Sequence, residues 1–151
     1  MSFDIAAAIA ALYIFSTMYI ASELHEIIYI STMAADAPIR VVADIAAKSR
    51  IANESRQITG LLVFDGMHFC QQFEGSAQKV AALMERIRKD PRHTDVQVLH
   101  HGPLAQRRFR RFSLGYTSVE DVEGLTRMEQ LQGQAAVNVF VAMLSGLDVS
   151  G

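Results

Sequence analysis

Residues 58–75 read ITGLLVFDGMHFCQQFEG, and this stretch decides the fold. Ile58 to Asp65 is a continuously apolar run, the pattern of a central strand covered on both faces. Asp65-Gly66 signals a tight turn, and His68 to Gly75 follows as the hairpin partner. Side chains alternate faces along a strand, so Phe69, Gln71 and Phe73 share one face. A buried carboxamide must find hydrogen-bond partners or cost about 1–3 kcal/mol. Between two aromatics, that carboxamide invites a polar ligand lying flat in an apolar slot.

Upstream of the hairpin, Glu26 to Ser31 reads as a strand, with Ile27, Tyr29 and Ser31 on one face and Ile28 and Ile30 on the other. Met33 to Pro38 is a loop. Ile39 to Asn53 is a helix whose inner stripe runs Val42, Ile45, Ala46, Ser49, Asn53. Downstream, Ser76 is an N-cap for a helix with Val80, Ala81, Met84 and Ile87 on one stripe, ended by Asp90-Pro91-Arg92-His93. Asp95 to His101 and Phe112 to Ser118 are further strands. Glu120 to Leu131 and Gln134 to Leu147 are helical, the second with Ala136, Val137, Phe140, Val141 and Leu144 on one side. The order gives an α+β ferredoxin-like sandwich, β-α-β-β-α-β plus a fifth strand, with extra terminal helices. The expected division is an apolar extension over 1–23, a ligand-binding domain over 24–118 and a helical cap over 119–151. The strands are apolar on both faces, so the C-terminal helix, with the N-terminal one as a second candidate, is expected to cover the sheet's other side.

The 151-residue chain is long enough for one domain with a real core. A net charge of −2 gives no electrostatic footprint for nucleic acid, and Arg107 to Arg111 reads as a solvated basic turn. Cys70 is the single cysteine, which excludes an internal disulfide and a Cys-based metal site and suits a reducing, cytoplasmic setting. No two histidines have the helical i, i+4 spacing that puts both on one metal, so no metal is expected. Ile5 to Ala21 carries no charge over 17 residues, the short limit for a membrane span. Only Asp4 precedes it as a charge, against a secretory signal. A packed helix is the preferred reading; a membrane anchor and an upstream extension from a misjudged start codon are the alternatives.

Tyr29, Asn53 and Gln71 converge in such a sandwich, where a planar ligand between the two helices would touch all three. Singly, each has a plain reading. Tyr29 is then a core tyrosine, Asn53 a helix C-cap, Gln71 a partner for nearby backbone, and Arg92 and His93 helix-end charges. Their joint order reverses that. The segments IIYIS (27–31), SRIANESRQITGLLVF (49–64), HFCQQFEG (68–75), IRKDPRHTDVQVL (87–99) and QRRFRRFSLGY (106–116) resemble the BLUF family, blue-light sensors using flavin.

The resemblance implies a noncovalent flavin held between the two helices, FAD as a rule, with FMN or riboflavin as alternatives. It implies that Tyr29 is the electron donor and Gln71 the switching glutamine. Asn53 would hydrogen-bond the flavin carbonyl edge, Ser49 would lie near the ring, and Arg92 and His93 near the flavin side chain and phosphates. The family commonly carries Trp-x-Met in the fifth strand, where this chain has Phe112 and Leu114 and no tryptophan at all. The photochemistry is expected to survive that change, with output and dark recovery altered. No cyclase-like, GGDEF or EAL segment follows, so the expected protein is a non-enzymatic photoreceptor that signals through a partner protein. Homo-oligomerisation is expected, with Phe140, Val141 and Leu144 in a self-association face and the exposed sheet face as a second contact surface. The rival reading is a ferredoxin-like interaction module that has lost photochemistry and acts by oligomerising.

Overall fold

The computed structural model describes residues 4–35, 40–116, 122–144 and 148–150. Helix α1 (Ile5–Ser22) precedes β1 (Leu24–Met33), α2 (Arg40–Ser55), β2 (Thr59–Phe64), β3 (His68–Ser76), α3 (Ala77–Lys89), β4 (His93–Pro103) and β5 (Phe112–Tyr116). Helices α4 (Val122–Met128) and α5 (Gln134–Met143) and a short β6 (Asp148–Ser150) follow. The strands form one mixed sheet in the order β4-β1-β3-β2-β5-β6. Its β4-β1-β3-β2 portion is the expected ferredoxin-like sandwich, and β5 extends it by pairing parallel to β2.

The β2–β3 hairpin forms as its sequence requires. Asp65 Oδ1 accepts the backbone N–H groups of Met67 and His68 at 2.9 and 2.6 Å, which closes the turn. Gly60 sits where the two strands touch: a Cβ there would lie 2.1 Å from the Gln72 carbonyl oxygen, so only glycine fits. Alternation then splits the sheet. On one face α2 places Val42, Ile45 and Ala46 against Leu62, Phe64, Phe69, Phe112 and Leu114. On the same face α3 places Val80, Met84 and Ile87 against Ile27, Tyr29, Ile58 and Phe73. The other face carries Ile28, Ile30, Leu61, Val63, Cys70 and Leu99 under Leu125, Met128, Ala136, Val137 and Phe140 of α4 and α5. Ser76 caps α3 through its side chain, which accepts from the Lys79 N–H.

Several expectations change. The sheet's second face is covered by α4 and α5, so it is no contact surface, and Phe140 is buried there. Of the expected self-association residues, Val141 is exposed and Leu144 packs at the edge of that core. Ala81 is exposed, because the α3 stripe runs Val80, Met84, Ile87 at four- and three-residue steps that leave 81 outside. Helix α1 contacts α3 rather than the far sheet face. It is not packed all round: Ile5, Ile9, Leu12, Tyr13 and Ile14 are 58–74% exposed. Strand β6 carried no legible signal in its three residues. The expected start of α2 at Ile39, the end of β5 at residues 117–118, the start at 120 of the first C-terminal helix and the end over 145–147 of the second lie outside the described residues.

The arginines of the Arg107–Arg111 run are exposed, as expected of a solvated turn, but the run is also anchored to the sheet. Arg107 donates to the Gln57 carbonyl at 2.8 Å and to Thr59 Oγ1 at 2.8 Å. Arg108 donates to both carboxylate oxygens of Glu26, at 2.8 and 3.2 Å. Glu74, fully buried, receives the backbone N–H of Phe109 at 2.8 Å and of Arg108 at 3.0 Å. Gln72 Nε2 bridges Glu26 and Glu74, at 3.0 Å from each. Burial by itself would raise the Glu26 carboxyl, but hydrogen bonds from Arg108 and Gln72 and the charges of Arg108 and His100 hold it below the ordinary carboxylate range. The loop is thus tied to the sheet by buried carboxylates on β1 and β3.

Candidate functional site

Strands β1 and β3 are antiparallel neighbours whose register sets Tyr29 directly opposite Gln71. Directly opposed residues place their side chains on the same sheet face, here the face beneath α2 and α3. The Tyr29 hydroxyl donates to Gln71 Oε1 at 2.6 Å. Burial first, then the neighbouring Cys70 and Asp90, push the Tyr29 hydroxyl well above its ordinary value, so it is a neutral phenol. With Oε1 taken by that phenol, the Gln71 amino group has no partner among the described residues.

The seam between the α2 and α3 clusters opens into a cavity of about 240 Å³. Tyr29, Leu62, Gln71 and Phe112 form its floor. Helix α2 contributes Ile45, Ser49, Ala52 and Asn53, and α3 contributes Leu83 and Ile87. Asn53 is 2% exposed, and its carboxamide makes no hydrogen bond among the described residues. Its backbone carbonyl accepts from Ile58 N–H at 2.9 Å and Arg56 N–H at 3.1 Å, closing the turn that follows α2, but the helix runs on to Ser55, so Asn53 is not the C-cap of the plain reading. Asn53 and Gln71 line the same cavity, so two amides border one apolar slot and offer a donor and acceptor set to a flat polar edge.

His93 stands at the end of the cavity. One ring nitrogen, Nδ1, lies 2.9 Å from Ser31 Oγ. The imidazole meets Tyr29 edge-on at a centroid distance of 6.1 Å and Phe69 at 4.9 Å. Burial lowers its pKa below the ordinary histidine value, against the pull of Asp90. Arg92 also lines the cavity, but its guanidinium is held by Asp90, with Nε 2.9 and 3.0 Å from the two carboxylate oxygens. That hydrogen bonding keeps the Asp90 carboxyl low despite its partial burial. Phe112 lies in the cavity wall; Leu114 is buried beside it under α2 without reaching the cavity.

The fold therefore gathers Tyr29, Ser49, Asn53, Gln71, Arg92, His93 and Phe112 around one space. Sequence reading missed Lys48, Arg56, Arg86 and Asp90, which line the mouth. Arg56 was legible in principle: 49, 53 and 56 continue the α2 stripe at helical steps. The donor set suits a flavin, whose ring presents carbonyls and ring nitrogens along one polar edge and is otherwise flat and apolar. Among the described residues, no group of His, Cys, Asp or Glu side chains is arranged to hold a metal ion.

The family model described as BLUF, sensors of blue-light using FAD, matches residues 24–115. The chain is 31% identical over 86 residues to the blue light- and temperature-regulated antirepressor BluF of Escherichia coli, covering 57% of this chain and 21% of that one. It is 43% identical over 67 residues to photoactivated adenylate cyclase subunit beta of Euglena gracilis, covering 42% of this chain and 8% of that one. It thus spans a minor part of both relatives. Among solved structures, the dark state of BlrB, a BLUF protein, superposes with a TM-score of 0.67 at 28% identity, over 82% of this chain and 99% of that one. The photo-activated state of BlsA shares the fold, with a TM-score of 0.70 at 22% identity over 85% of this chain and 99% of that one.

Proposed function

The chain belongs to the BLUF family of blue-light flavin sensors, and on that premise we propose that Tyr29 and Gln71 are its switch and FAD its flavin. The observation that carries this is the 2.6 Å hydrogen bond from a buried, neutral phenol to the oxygen of a carboxamide at the cavity floor. Residues 24–118 are the sensing unit in this reading, with 119–151 as its helical cap.

Asn53, Ser49 and Gln71 hold the polar edge of the ring, while Ile45, Leu62, Leu83, Ile87 and Phe112 exclude water from it. A bound flavin supplies the absorption of blue light and, once excited, a strong electron acceptor. Tyr29 is the donor. Its phenol would give up an electron to the excited flavin and then its proton, along the hydrogen bond to Gln71 Oε1, to the same acceptor, both returning to Tyr29 as the dark form is restored. A glutamine has an acceptor end and a donor end. With the phenol's bond gone, Gln71 turns or tautomerises and exchanges the end it presents to each side. The Gln71 amide would then donate a new hydrogen bond to a flavin carbonyl, which would shift the absorption to the red. His93, bonded to Ser31 and packed edge-on against Tyr29, holds the donor ring in place. Arg92, paired with Asp90, closes the wall on the side-chain end.

Phe112 and Leu114, buried on β5 beside the cavity, carry the change toward the sheet in this reading, with recovery and output differing from family members that have Trp and Met there. The output is non-enzymatic: the domain biases a partner protein or a second copy. Regulation of an antirepressor and of a cyclase in the two relatives is the precedent for such coupling. Among the described residues no helix is long and apolar enough to cross a membrane, and the lone buried thiol of Cys70 suits a reducing cytoplasm. Gln71→Leu removes both ends of the amide and keeps the bulk. The variant is expected to bind flavin without a reversible red shift; a normal shift would overturn the role given to Gln71.

A further inference from the structure

The cavity floored by Tyr29 and Gln71 is about 240 Å³, below the roughly 300–1,000 Å³ of most small-molecule clefts. It suits a ring and little of what the ring carries. A substituent has to leave through the mouth, where Arg56 and Arg86 stand on either side, one from the end of α2 and one from α3. The same two arginines line a second hollow of about 530 Å³, which continues along α3 past Gln78, Lys79 and Ala82. On α3 the lining positions 79, 82, 83, 86 and 87 recur at helical steps, so one helix face walls both spaces.

At this mouth Asp90 is taken up by Arg92, which leaves Arg56 and Arg86 without a counter-charge among the described residues. The arginine ion pairs of the described residues join Arg88 to Glu85, Arg92 to Asp90 and Arg108 to Glu26. Arg56, Arg86 and Lys79 have no carboxylate partner among the described residues. Burial and then the charge of Arg56 lower the pKa of the Arg86 guanidinium, the mark of two like charges facing one space. The first turn of α3 has no acidic residue and its positive dipole end lies beside Lys79. Arg92, the cation that the sequence nominated for phosphate, is already bound to Asp90.

We propose that Arg56 and Arg86 form a clamp for a phosphate group on the flavin side chain, so that this chain selects phosphorylated flavins over riboflavin. The inference rests on the flavin reading above and adds to it the anion and the residues that hold it. Guanidinium groups suit phosphate because their planar donors match its oxygens. Riboflavin ends in neutral hydroxyls and gains nothing from either cation.

The test uses the full chain freed of flavin and titrated with riboflavin, FMN and FAD, following flavin fluorescence. The wild type is expected to bind FMN and FAD about tenfold or more tighter than riboflavin at low salt, with the gap narrowing as salt screens it. The double variant Arg56→Gln, Arg86→Gln should bind all three alike, at the riboflavin affinity. Arg88→Gln, outside both hollows, should keep the wild-type preference. Equal affinity of the wild type for riboflavin and FMN would overturn the clamp while leaving the flavin site standing. So would a double variant that still prefers FMN. Failure of all three flavins to bind the wild type would overturn the clamp and the flavin reading together.

Discussion

Tyr29 and Gln71 are hydrogen-bonded as a pair, and in the proposed switch each has a distinct signature when removed. Tyr29→Phe takes away the donor to Gln71 Oε1 and leaves a buried acceptor unpaired. It should cost about 1–3 kcal/mol of stability, keep the flavin and abolish the red shift, as read by denaturation and a light-minus-dark spectrum; a normal red shift would end the donor role of Tyr29. His93 gives a pH dependence. Its folded pKa is depressed by burial, so the unfolded chain binds more protons as the pH drops below about 6.5. The stability it contributes is complete above that pH and is lost as the pH falls through the lower folded value. His101 is shifted the same way. The melting temperature should therefore fall between about pH 7.5 and 5.5, and fall less in His93→Gln; identical pH profiles would exclude His93 as a source. At this scale the sequence was most readable. Tyr29, Asn53 and Gln71 each sit at a fixed phase of a regular element, and phase decides which way a side chain points. Arg92 was less readable, because its commitment to Asp90 depends on the local turn rather than on periodicity.

Among the elements, the hairpin 59–76 carries two networks back to back. Gln71 faces the cavity, and Gln72 faces the buried carboxylates of Glu26 and Glu74 that tie down residues 107–109. Glu74→Gln would set a donor against N–H donors on one side of that carboxylate. It should destabilise the fold by about 1–3 kcal/mol for each N–H left unpaired. A thermal melt checks this, and an unchanged melting temperature would show that Glu74 is dispensable to the loop. The strands, both sheet-covering helices and the Ser76 cap followed from alternation, helical stripes and a capping residue. The anchoring of the basic run Arg107–Arg111 was not legible because its partners lie 33–82 residues away in sequence. How much of helix α1 is exposed was not legible for the opposite reason. A helix apolar on all sides has no preferred face, so its sequence cannot say how much of it is buried.

Across the whole molecule, a covered sheet leaves few routes outward. The far face is sealed by α4 and α5, while β5, with Phe112 and Leu114, lies beneath α2 and borders the cavity. If Gln71 is the proposed switch, β5 beneath α2 is the buried element beside it through which a hydrogen-bond change would pass toward the surface. Both relatives carry the matching region within far longer chains. The measurement that bears most directly on this account is the absorption spectrum of the purified protein before and just after blue illumination. The account predicts a bound-flavin spectrum that shifts to the red and returns in the dark, even with Phe112 and Leu114 in the fifth strand. A flavin spectrum that light leaves unmoved would contradict the Tyr29–Gln71 switch, and a colourless protein would contradict the flavin site itself.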